Sequence, residues 1–60
     1  MSQLFAPTVG DAIAELKREL KLREHVFPRL VAQRKLSAED AGLRNSRLMK
    51  AIEILEGMTE

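Results

Sequence analysis

The sequence predicts an all-α fold, an antiparallel helical hairpin whose first helix is kinked or broken near Pro28. Three observations carry that expectation. Apolar residues recur at helical spacing from Val9 to Phe27 and again from Ala41 to Leu55. Between the two runs lie Phe27-Pro28, a kink signal, and Lys35-Leu36-Ser37, which ends in a helix-start residue. The 60-residue chain has 45% apolar and 32% charged residues, which suits one folded domain rather than a disordered chain.

Residues 1–8 read as an extended N-terminal arm. Pro7 disfavours helix in the residue before it. Thr8 is a good N-cap, and Asp11 follows at the third position, a looser form of the Ser/Thr-x-x-Glu capping box. The hairpin itself is expected over residues 9–57, with helix 1 at about 9–34. Val9, Ile13, Leu16 and Leu20 alternate at spacings of four and three, and the rhythm continues through Arg23, Phe27 and Leu30. Ala12, Leu22 and Val26 widen that seam to the stripe a bundle helix needs.

Pro28 leaves two routes. Inside a helix it removes one backbone bond and crowds the preceding turn, at about 3 kcal/mol. The chain either kinks and continues to about Arg34, or stops at Val26 and restarts with Pro28 in a first turn. The seam running on through Phe27, Leu30 and Val31 favours the kinked, continuous helix.

Ser37 caps the second helix, expected at about 38–56, with Asp40 at the matching third position. Ala41, Leu48, Ile52 and Leu55 share one of its faces, and Asn45 fills the gap in their rhythm. Gly42 costs about 1 kcal/mol in a helix interior unless close packing uses its missing side chain. Gly57 is the expected C-cap, and residues 58–60 form a frayed tail. Folding back near residue 36 sets Leu20 near Ile52, Leu16 near Leu55 and Phe27 near Asn45.

A two-helix hairpin leaves much of each stripe exposed. The chain has no cysteine and a single histidine, so disulfides and an ordinary zinc site are excluded within it. Oligomerisation or unusually regular helix packing remains as the source of added stability, and a homodimer forming a four-helix bundle is the simplest way to cover the stripes. The candidate protein interface is Leu16, Leu20, Arg23, Phe27, Leu48, Ile52 and Leu55.

Arg23 and Asn45 are polar intrusions on apolar seams. They either fix the pairing register or contact a partner, or else Arg23 lays its stem along the seam and sends its charge to solvent. His25 has no nucleophile beside it and reads as a solvated surface residue. Glu15, Glu19 and Glu24 alternate with Lys17, Arg18, Lys21 and Arg23, the pattern of a salt-bridged face rather than a catalytic dyad. No catalytic residue, cofactor or metal is expected.

Net charge is only +1, but it is unevenly spread. Residues 29–50 hold Arg29, Arg34, Lys35, Arg44, Arg47 and Lys50 against Glu39 and Asp40, while the tail holds Glu53, Glu56 and Glu60. Those six basic residues are the candidate contacts of the alternative reading, a nucleic-acid-binding accessory or regulatory protein. Against it, no aromatic residues interleave for base stacking, and Gly42 comes too early for a helix-turn-helix. Neither a span of ~18 apolar residues nor a secretion signal is present, so the expected setting is cytoplasmic and away from membranes.

Glu15-Leu16-Lys17-Arg18-Glu19-Leu20, then Arg23, then Val26-Phe27-Pro28-Arg29-Leu30-Val31 and Lys35-Leu36-Ser37 form a pattern of some specificity. It resembles a group of small helical proteins encoded by bacteriophages and prophages. The likeness covers about residues 13–54. It implies a phage or prophage origin and a bacterial cytoplasmic setting, with no established activity to carry over. The apolar stripes themselves point to a small non-enzymatic protein that acts on a host or phage protein through helix-mediated interaction. Similar proteins often carry glycine just before the Lys-Leu-Ser/Thr element. Arg34 stands there in this chain, which implies a less sharp turn.

Overall fold

The computed structural model describes residues 7–59. Most of the expected N-terminal arm, residues 1–6, and Glu60 of the tail lie outside them. Two helices, α1 (Val9–Ala32) and α2 (Ala38–Glu56), make the hairpin. Among the described residues there is no strand.

Both halves of the capping box start α1. The Thr8 amide donates to Asp11 Oδ2 and the Asp11 amide donates to Thr8 Oγ1, each at 3.0 Å. A cap of this kind contributes about 1 kcal/mol. The Asp11 carboxylate also sits where the helix dipole favours negative charge.

α1 runs through Pro28 without a break, so the restart at Pro28 does not occur. Pro28 has no amide to bond the Glu24 carbonyl. Both residues are exposed, which leaves that carbonyl open to water.

The end of α1 departs from expectation. It stops at Ala32 rather than near Arg34, and the turn is tight rather than relaxed. Arg34 takes the left-handed conformation with φ of 63°. Its amide donates to Val31 O at 3.0 Å, and the Lys35 amide donates to Leu30 O at 2.9 Å. These are the two bonds of a Schellman motif, which normally uses glycine at this position. A side chain can be forced into the same geometry, at about 1–2 kcal/mol.

The Ser37 Oγ then accepts from the Asp40 amide at 3.0 Å and opens α2 at the expected residue. Gly57 caps α2, but at φ of −71° it uses none of glycine's freedom.

The two helices form a single layer. The Cα trace measures 43 × 27 × 14 Å. Only Phe27, Ala41 and Ile52 are buried among the described residues, at 8%, 9% and 7% exposure. Leu16, Leu20, Leu48 and Leu55 are half-buried. Leu22, Leu43, Met49, Ile54 and Met58 are exposed. At the open end Lys17 Nζ lies 2.9 Å from Glu56 Oε2 and ties the helix ends together. No helix among the described residues is long and apolar enough to cross a membrane.

Candidate functional site

The two polar residues that interrupt the apolar seams meet across the hairpin. Arg23 Nε donates to Glu19 Oε2 at 3.0 Å. Its Nη1 donates to the Arg44 carbonyl at 3.2 Å and lies 3.5 Å from Asn45 Oδ1. The side chain is 18% exposed. Its charge is therefore matched by Glu19 and α2 rather than sent out to solvent. α1 brings Glu19 and Arg23 together because residues four apart share a helix face. The fold-back then supplies the acceptors on α2.

Phe27 is one turn further along α1. The Arg23 Cζ lies 5.1 Å from its ring centroid and the Arg44 Cζ 5.5 Å. Each guanidinium over an aromatic face contributes about 0.5–1 kcal/mol at a partly exposed site. The only buried aromatic side chain among the described residues is thus held by one arginine from each helix. Nothing in the spacing of Arg44 pairs it with Phe27. That contact depends on how the two helices are rotated about their axes.

Beside Phe27 an open groove runs between the helices, lined by Pro28, Val31, Ala32, Ala38, Ala41 and Gly42. A Cβ built on Gly42 would meet no atom within 4 Å. The packing of the hairpin does not require this glycine, although it weakens α2 by about 1 kcal/mol. Its effect is to leave the groove open. Leu20 and Ile52 line a second depression nearer the open end, as their expected pairing implied.

The six basic residues of the alternative reading are dispersed. Arg44 packs on Phe27, and Lys50 Nζ lies 2.9 Å from Glu53 Oε1. Arg29 lies in the last turn of α1, where a cation suits the helix C-terminus. Arg34 and Lys35 form the turn, and Arg47 is exposed on α2. At about 100° per residue, Arg44, Arg47 and Lys50 drift by about 60° a step and span about 120° of α2, but Arg44 and Lys50 are already engaged with Phe27 and Glu53.

His25 is exposed. No group of three or more His, Cys, Asp or Glu side chains among the described residues is placed to hold a metal ion. No protein family, curated protein or solved structure matches the chain.

Proposed function

We propose that this protein is a small, non-enzymatic interaction module that acts by burying an apolar helix face against another protein. One observation carries the reading. A single-layer hairpin buries only Phe27, Ala41 and Ile52 among its described residues and leaves large aliphatic side chains on both helices in water. Together with the half-buried Leu16, Leu20, Leu48 and Leu55, that exposed apolar surface fits a protein interface. The groove beside Phe27 suits an apolar side chain or a helix edge from a partner. The resemblance to phage and prophage proteins makes a bacterial or phage protein the partner to seek.

The test is a tagged pull-down from bacterial lysate, with and without nuclease, read by mass spectrometry. The wild-type chain is expected to retain a stoichiometric protein after nuclease treatment. A Cβ at position 42 meets no atom of the hairpin, so Gly42→Leu should occupy the groove and lose that protein. Recovery of nucleic acid alone, or of proteins lost on nuclease treatment, would transfer the function to Arg29, Arg34, Lys35, Arg44, Arg47 and Lys50. Charge reversal at Arg44 and Arg47 would then abolish binding and flatten its salt dependence.

A further inference from the structure

Arg34 is the one residue with a positive φ among those described, at 63°. Glycine reaches this left-handed conformation freely, whereas a Cβ there crowds the following carbonyl oxygen. The turn needs the conformation, because the Arg34 and Lys35 amides close α1 through it. It does not need the arginine. Arg34 is exposed, and its side chain joins no ion pair among the described residues. A strained backbone held by a side chain that does nothing for the fold points to a contact made outside it.

The surroundings give the chemistry of that contact. Lys35 is adjacent, exposed, and likewise outside the ion pairs of the described residues. Arg29 lies in the last turn of α1. The acids nearest in sequence, Glu39 and Asp40, sit in the first turn of α2, where the helix dipole favours them. The Gly42 groove runs up to this turn, since Ala32 and Ala38, the end of α1 and the start of α2, both line it. The charged residues that line the groove itself are Arg23, already matched by Glu19, and Glu24.

A ligand in the groove therefore meets uncommitted positive charge at the turn and the carboxylate of Glu24 further along. Phe27 precedes the end of α1 by five residues, about 7–8 Å of helix rise. Bases with Glu39 and Asp40 close behind them suit the repeated charge of a nucleic-acid backbone poorly. A guanidinium fork beside an apolar groove suits a single carboxylate.

We propose that Arg34, with Lys35 beside it, selects what enters the groove. The ligand is a helical segment of a partner protein that carries a carboxylate about one helical turn beyond the apolar residue seated beside Phe27. The proposal rests on the interaction reading above and names the charge its partner must carry. It also accounts for the arginine: the turn forgoes the stability glycine would supply and gains a cation at the end of the groove.

The probes are two fluorescent helical peptides with the same leucine face, one with a pair of glutamates a turn beyond it and the other with a pair of lysines. Each is titrated against the full chain and followed by anisotropy. The wild type is expected to bind the glutamate peptide about tenfold more tightly at low salt, a margin that narrows as salt rises. Arg34→Gly should unfold at a higher urea concentration than the wild type and yet bind the glutamate peptide about threefold or more weakly. Its affinity for the lysine peptide should not fall. Arg34→Lys keeps the charge and should retain part of the preference.

Stability and binding moving in opposite directions is the signature, because a purely structural role would move them together. Equal binding of the two peptides, binding of neither, or wild-type binding of the glutamate peptide by Arg34→Gly would overturn the proposal. Those results leave capture of a partner through the groove untouched, which the Gly42→Leu pull-down reads separately.

Discussion

Arg23 carries more of the tertiary structure than any other polar side chain among the described residues. It joins Glu19, the Arg44 carbonyl, Asn45 and the Phe27 ring. Its removal leaves the Asn45 amide oxygen and the Phe27 face without their main cover. Arg23→Ala is expected to cost about 1–2 kcal/mol in urea unfolding followed by circular dichroism. Arg23→Lys should recover less than half of that loss, because an ammonium cannot reproduce the fork of a guanidinium.

Arg34 gives the opposite sign. It occupies a left-handed position that glycine takes without strain. Arg34→Gly is expected to stabilise the hairpin by about 0.5–1 kcal/mol in the same assay, the relief of strain being partly offset by a freer unfolded chain. Arg34→Val should destabilise it, since a β-branched side chain is worse still at positive φ. Sequence reasoning located Arg23 and Asn45 as intrusions and Arg34 as a departure from glycine. It did not find the partners of the first two. Which α2 atoms meet Arg23 depends on helix rotation and register, and neither is a local property of the chain.

At the scale of the elements, the helix starts were legible and one helix end was not. Thr8 and Ser37 cap α1 and α2 where their hydroxyls and the following acids predicted. The end of α1 was misplaced by two residues because a Schellman turn with arginine at the glycine position carries no composition signal. Pro28 was readable only as a choice, and the apolar rhythm through Leu30 and Val31 decided it correctly for a continuous helix.

Gly42 was read as a cost unless close packing needed it, and the hairpin does not need it. Gly42→Ala is therefore expected to stabilise α2 by about 1 kcal/mol, seen as a raised urea midpoint with an unchanged slope. A destabilised Gly42→Ala variant would show that another chain approaches this position closely. That outcome would place the groove inside an assembly.

For the whole molecule, the governing fact is thinness. Two helices in one layer share a single line of contact, and among the described residues only Phe27, Ile52 and Ala41 are buried along it. Domains of this size are marginal even when compact, and there is no disulfide to assist. The charges offer little: the Lys17–Glu56 and Lys50–Glu53 pairs are about half to two-thirds exposed, and such pairs contribute roughly 0–1 kcal/mol. The sequence conveyed this deficit through its length, its lack of cysteine and its double apolar stripe. It could not convey which face would remain open, because both sides of each stripe are apolar until the helices are set against each other.

The central claim is that the hairpin is completed by another molecule, and thermal unfolding across a range of protein concentrations tests it most directly. Circular dichroism at 222 nm should show a midpoint that is low in dilute solution and rises only as a second molecule binds, as mass action requires of a fold completed by binding. A high midpoint that stays constant over a hundredfold dilution would contradict the account. It would mean that three buried side chains and the Arg23 contacts hold the hairpin together alone.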